Sequence, residues 1–320
     1  VSGVLHPDGV YDDPQGGNLR GTLYPKLRFH FQFINELKLF PEVDHHMVFS
    51  LNIYSNEKVD TFDSIANLFS PITIDQCYER YGGELPGIKD KNNKWNIEGD
   101  NSRIVEIGKT ELKLFAQLLD DSFEPMEARL PVLHAGEFID VLRHFISQDC
   151  TIGSLDRCIF GSQMWNETNA MRDGFITRQV HFPEGMMDTI YSGPHIGVAN
   201  PLFKTSRRIC RINSDYDNVD LTMIAKDYIQ RINYMPGGRL EDYIKRVPST
   251  PWQNKYFSQP RILMRNMFNL TGERTLVSAI AMPNTGHVHA VYGLAVKDVS
   301  LLVLIAGDMA SIVYDFYIKI

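Results

Sequence analysis

Between Arg28 and Phe33 the chain alternates without a break, with Phe29, Phe31 and Phe33 on one side and Arg28, His30 and Gln32 on the other. A period of two over such a run is the pattern of a β-strand with one apolar and one polar face. A slip of one residue would exchange the two faces, so this stretch also specifies its own register. After a connection through Glu36, Pro41 and Asp44-His45-His46, the run Met47-Val48-Phe49-Ser50-Leu51-Asn52-Ile53-Tyr54 reads as a second strand, expected antiparallel to the first. Upstream, the apolar run Val1 to Leu5 ends in the turn His6-Pro7-Asp8-Gly9. A second turn, Asp12 to Gly17, leads into a helix-like stretch from Asn18 to Lys26. The order strand, turn, helix, strand, strand reads as the back end of an α/β sheet. Its earlier strands are expected upstream of Val1, in a larger protein of which this chain is a piece.

At 320 residues the chain can form one large domain or two. A hydrophobic fraction of 43% with 11% aromatics excludes a disordered chain. Cys77, Cys150, Cys158 and Cys210 show no Cys-x-x-Cys spacing, which suits a reducing, cytoplasmic setting. The stretch Val299 to Ile320 is interrupted by Asp308 and Asp315. It falls short of the roughly 20 apolar residues of a membrane span, so a buried helix is expected there.

The net charge of −7 argues against a surface that coats nucleic acid throughout. Residues 200–275, however, hold thirteen Lys or Arg against seven acids, a surplus of six that leaves −13 for the rest of the chain. An acidic body with one basic segment fits local contact with phosphates, of a kind whose affinity falls steeply with salt. The same surplus is also what a solvated basic face looks like.

The polar segment Ser55 to Asp60 reads as a linker and places a domain boundary between residues 57 and 58. Helices are expected over Phe62 to Phe69, over Ile74 to Tyr81 with Thr73 as cap, over Glu111 to Leu119 with Thr110 as cap, and over Glu137 to Ser147. Gly161 to Thr168 and Phe175 to Phe182, around the turn Arg172-Asp173-Gly174, suggest a hairpin or small sheet. Ile190 to Val198, Arg207 to Ile212, Arg274 to Met282 and His287 to Val296 read as strands. Arg239 to Val247, Lys255 to Asn269 and Val299 to Ile318 read as helices.

Several segments together carry a resemblance. They are His6 to Arg20, Phe29 to Phe33, Asp44-His45-His46 with Phe49 to Tyr54, Gly87 to Asp90 with Trp95-Asn96, and Ala128 to Val132. Further along come Trp165 to Asn169, Ser192 to His195 with Asn200 to Thr205, and Thr271 to Thr275. In this order they resemble the tail of the catalytic domain and the target-recognition region of large adenine-specific N-6 DNA methyltransferases of the restriction–modification or phage-defence type. The resemblance implies an α+β chain: residues 1–57 as the C-terminal part of the methyltransferase sheet, and residues 58–320 as a mixed α+β region that binds DNA. It implies S-adenosylmethionine as cofactor of the full-length protein but not of this segment, which alone would be inactive. Double-stranded DNA is the implied partner, with other restriction or defence subunits besides.

In such enzymes an aromatic residue near the start of the strand matching Met47 to Tyr54 stacks on the flipped base, and Phe49 corresponds to it. The alternative for a Phe in an alternating strand is the core. The segment Ile196 to Phe203 is similar to the Asn-Pro-Pro-aromatic motif whose Asn orients the target amine, which makes Asn200 a candidate, but Leu202 replaces the second Pro. The other reading of this segment is a turn presenting Lys204, Arg207 and Arg208 to phosphates or base edges. With Arg211, Arg261, Arg265 and Arg274 these form the expected DNA-contacting set, and removing Arg207 and Arg208 is expected to weaken duplex binding and flatten its salt slope.

Other chemistry finds less support. His45 and His46, adjacent on a strand, would point to opposite faces. His287 and His289 share a face but have no evident third ligand, and no nucleophile–base pair stands out. The paired acids Asp12-Asp13 and Asp120-Asp121 read as turn and helix-end residues. The sequence contains no Gly-x-Gly turn and no Walker motif. Two further readings stay open: a catalytically silent DNA-specificity or scaffold module of a defence complex, and an unrelated metalloenzyme using Asp44, His45 or the His287/His289 pair.

Overall fold

The computed structural model describes residues 1–120, 124–148, 151–267 and 273–320. Asp121, Cys150 and the Thr271-Gly272 part of one motif lie outside the described residues, as does the end of the stretch Lys255 to Asn269. The architecture is mixed α+β, in two compact units, Val1–Cys150 and Thr151–Lys319.

The first unit is built on a sheet of β1 (Ser2–Pro7), β2 (Leu27–Ile34), β3 (Val48–Tyr54), β4 (Thr61–Leu68) and β5 (Val105–Gly108), in the order β1-β3-β2-β4-β5. β3 runs antiparallel to both β1 and β2, β4 is parallel to β2, and β5 is antiparallel to β4. The first strand, the helix α2 (Gly17–Leu23) and the antiparallel pair β2 and β3 therefore form as the sequence suggests, with β3 inserted between β1 and β2. The boundary expected after residue 57 falls inside this sheet, between β3 and β4, and the compact units divide after residue 150. Phe62 to Phe69, expected as a helix, is mostly the strand β4. A buried strand hydrogen-bonded on both sides loses the alternation that separates strand from helix.

Register aligns Phe33 with Phe49, Phe31 with Leu51 and Phe29 with Ile53, which sets one face of the sheet apolar. That face packs with Ile65, Leu68 and Cys77, the last from α3 (Ile72–Glu79). The opposite face carries His30, Gln32, Ser50 and Asn52, and all four are buried, although alternation predicts only that this face is polar. Tyr11, on the short helix α1 (Gly9–Asp12), covers it and donates its hydroxyl to Asn52 Oδ1 at 2.8 Å. Asp8 accepts from Gln32 Nε2 at 2.6 Å and lies 3.1 Å from His30 Nε2, whose other nitrogen is 3.0 Å from Ser64 Oγ. Polar groups tolerate burial when they satisfy one another, as these do.

β1 is an edge strand. Among the described residues its outer side pairs with no strand, and Val4 and Leu5 are 43% and 50% exposed. The helices α4 (Lys109–Leu119) and α5 (Phe138–Ile146) complete the unit close to their expected bounds. Caps differ: Glu111 Oε2 accepts from Gly108 N at the start of α4, and Thr73 donates to Ile97 O instead of capping α3. Two buried arginines act as carbonyl clamps. Arg20 donates to the carbonyls of Val10, Asp13 and Glu127, and Arg103 to those of Ala66, Asn67 and Glu98.

The second unit centres on an antiparallel sheet of β6 (Ile159–Ser162), β12 (Arg261–Arg265), β13 (Ser278–Ala281) and β15 (Val291–Val296), in the order β13-β12-β15-β6. Three small ribbons flank it: β7 (Ile176–Thr177) with β11 (Met235–Pro236), β8 (Ile190–Tyr191) with β14 (Gly286–His287), and β9 (Lys204–Ser206) with β10 (Tyr216–Asn218). The hairpin expected around Arg172 to Gly174 is absent. Instead, Asn166 Oδ1 accepts from Asn169 N and caps the helix α6 (Glu167–Arg172), while β6 pairs with β15. The helix expected over Lys255 to Asn269 is the central strand β12, which follows Pro260 and is buried on both sides. Ile262 faces α8 (Val299–Ala310), and Leu263 faces Tyr191 and Ile196. The helix α7 (Leu240–Arg246) forms as expected. The C-terminal helix breaks at Ser311, where α8 and α9 (Ile312–Lys319) meet at 69°. Among the described residues no single helix is long and apolar enough to cross a membrane.

Candidate nucleic-acid interface

The strand expected over Arg207 to Ile212 is a loop, and it projects from the β9–β10 ribbon. Its shape comes from Asp215. The carboxylate accepts from Arg211 N at 2.8 Å and Ile212 N at 3.0 Å, and the carbonyl accepts from Arg207 N at 2.9 Å. Those two backbone N–H groups, of Arg211 before Ile212, hold the Asp215 carboxyl below the usual carboxylate range. With its backbone so fixed, the loop turns Arg208, Ile209, Arg211 and Ile212 out to solvent.

Arg178, just after β7, reaches the same loop. Its Nη2 donates to Arg211 O at 2.9 Å, and its guanidinium lies 5.7 Å from the Tyr234 ring centre. Arg178, Gln179, Val180, Arg208, Ile209, Cys210 and Arg211 line an open cleft of about 370 Å³. Three guanidinium groups and no carboxylate line it, so their fields add and attract anions. A guanidinium presents a planar fork of donors that matches phosphate oxygens or the edge of guanine. Among the described residues, neither Arg208 nor Arg211 forms an ion pair through its side chain. Arg207, by contrast, is tied to Asp217 at 2.8 Å.

The other expected contacts divide sharply. Lys204 is half-buried, with its ammonium 5.4 Å from the Phe203 ring centre. Arg261 is wholly buried, donates to Thr285 O and Oγ1 at 2.7 and 2.8 Å, and stacks on Tyr256, so it cannot reach DNA. Arg265 donates to the carbonyls of Gly193 and Ile196 and clamps that loop. Arg274 donates to Ala310 O and Ser311 O at the end of α8 and lies 3.5 Å from Asp315. All three sit on or beside the central sheet, where strand residues point inward as often as outward.

Asn200 is not at the end of a strand, since β8 stops at Tyr191. It closes a tight turn in which Gly197 and Asn200 bridge, and its Oδ1 accepts from Leu202 N at 2.9 Å. Phe49 is 8% exposed. Its ring stacks on Phe33 at 5.4 Å and meets Phe40 edge-on at 5.1 Å, so it belongs to the apolar face of the first sheet. His287 is buried with its Nε2 3.0 Å from Tyr256 Oη, while His289 Nδ1 accepts from Glu167 N, so the two rings serve separate contacts.

Sequence reasoning missed Arg178. It stands some thirty residues before the loop it joins, and only the pairing of β7 with β11 gives its place. No family model matches the chain, and no curated protein matches it.

Proposed function

We propose that this chain is the DNA-contacting part of an S-adenosylmethionine-dependent, adenine-specific DNA methyltransferase of the restriction–modification or phage-defence type. In this reading residues 151–267 and 273–320 carry the target-recognition surface, and the β1-β3-β2 portion of the first sheet completes the catalytic domain. The observation that carries the reading is the cleft of three arginines, none of which forms a side-chain ion pair among the described residues. The exposed apolar edge of β1 supports it, because an unpaired strand edge is a seat for another strand. The residues present do not fit the cofactor: the chain has no Gly-x-Gly turn, and Asn200 commits its amide oxygen to its own turn. Methyl transfer is therefore assigned to residues outside this sequence. That commitment of Asn200 equally favours the second reading, a DNA-specificity module without chemistry, possibilities that adenine methylation by the full-length protein separates.

The duplex-binding test differs from the one that sequence alone suggests. Each phosphate contact contributes roughly 0.9 to the slope of log affinity against log salt. Replacing both Arg208 and Arg211 with Ala is expected to lower that slope by about 2. Arg207→Ala should change it less, because Asp217 already holds that guanidinium, and Asp217→Asn should tighten binding. All four side chains are exposed, so the fold survives these changes. A double variant that binds duplex with an unaltered slope would remove this loop from the interface.

A further inference from the structure

The connection from β2 to β3 gathers a set of metal-binding side chains. Glu36, His45 and His46 each bring one ligand atom to within 4.8 Å of the other two. His45 Nδ1 lies 3.0 Å from Glu36 Oε2, and the two imidazole centres are 3.7 Å apart. Adjacent histidines diverge on a strand, but these stand in a turn closed by Met47 N donating to Asp44 O, which lets both rings reach the same side.

The loop is shaped before any ion arrives. Asn35 is wholly buried; its Nδ2 donates to the carbonyls of Phe40, Val43 and Asp44, and its Oδ1 accepts from Phe40 N at 3.0 Å. One side chain thus fixes the backbone next to Glu36 and next to His45. The Glu36 side chain is 9% exposed, and among the described residues its only ion pair is with His45. A carboxylate so sheltered from water gains from a cation at its side.

We propose that Glu36, His45 and His46 form a binding site for a divalent transition metal of the zinc class. Two imidazoles and a carboxylate, with a further position left open, are a set that zinc accepts. Calcium and magnesium prefer oxygen donors throughout. Asp44 lies 3.3 Å from His46 Nδ1, as a fourth donor or as the carboxylate that orients the ring. The bound ion pins the loop of residues 35–47, which also carries Phe40 against Phe49.

The test is titration of the metal-free chain with Co²⁺, read by its visible absorption, followed by displacement with Zn²⁺. One ion per chain is expected, with binding that weakens in acid because protons compete for the same ligand atoms. Glu36→Gln, His45→Gln and His46→Gln are each expected to abolish the spectrum. Asp44→Asn should weaken binding about 10- to 100-fold, and His181→Gln, at a histidine of the second unit that is not among the proposed ligands, should leave it unchanged. The 60% exposure of the His46 side chain makes His46→Gln the variant whose fold is safe. Binding that persists in His46→Gln and Glu36→Gln, binding lost equally in His181→Gln, or no saturable binding at all overturns the proposal.

Discussion

Acidification from pH 7 to pH 4 is expected to unfold the second unit, with the loss of stability beginning near pH 6.5, before the carboxylates titrate. His195 and His287 are both wholly buried and neutral. His195 Nδ1 accepts from Ser192 N at 3.0 Å, and burial pushes the ring down to about 4. His287 sits against Tyr256 and near the buried Arg261; burial, then the guanidinium charge, pushes it down to about 3. In the unfolded chain both titrate near 6.5, so below that pH the unfolded state takes up protons that the folded state refuses. Stability is therefore complete above about pH 6.5 and is lost as pH falls toward the folded values. Two such groups give a slope of about 2.7 kcal/mol per pH unit, or roughly 6 kcal/mol by pH 4, comparable with the whole stability of a domain. Urea unfolding followed through Trp165, at a series of pH values, measures the slope. His287→Gln should make it shallower, whereas stability that stays level from pH 7 to pH 5 would mean that these imidazoles are not held neutral. In the first unit His134 is likewise held near 4, by burial and then by Arg103.

Asp8→Ala is expected to destabilise the first unit by about 3 kcal/mol or more, the scale of breaking a buried pair by removing one partner. The substitution leaves His30 and Gln32 without their shared acceptor on a face sealed by Tyr11. Asp8→Asn keeps the shape and loses only the charge, so it should cost less. Burial alone would raise the Asp8 pKa, but hydrogen bonds from His30, Gln32 and Ser50, together with the charge of His30, outweigh it and hold the group below its usual value. Its contribution is thus present above about pH 3.8 and disappears as pH falls through the lower folded value. Thermal unfolding followed through Trp95 reads it, and a variant within about 0.5 kcal/mol of the parent would show that the face is not held by this carboxylate.

The arginines show where a count of charges stops being informative. Thirteen cations in residues 200–275 suggested one basic surface. Arg261, Arg265 and Arg274 turned out to serve carbonyl groups inside the fold, as Arg20 and Arg103 do in the first unit. A guanidinium carries five donors, and burying it against loop carbonyls satisfies backbone groups that no regular element reaches. Nothing in the local sequence separates such an arginine from Arg208 or Arg211.

What the sequence by itself determined follows from short-range periodicity. The alternation from Arg28 to Phe33 set the strand β2, its two faces and its partner β3, and the helical spacing of Leu112, Phe115 and Leu119 located α4. These patterns are local, and each residue's neighbours in sequence are enough to produce them. Only the tertiary structure decided which faces meet water. Alternation distinguishes polar from apolar, but whether His30 and Gln32 are solvated or sealed depends on Asp8 and Tyr11 folding over them. The pairing of β4 with β2, the joining of Arg178 to the Arg208 loop, and the approach of Glu36 to His45 and His46 rest likewise on contacts between segments apart in sequence. Such contacts are fixed by packing and hydrogen-bond satisfaction across the fold, which no local pattern encodes.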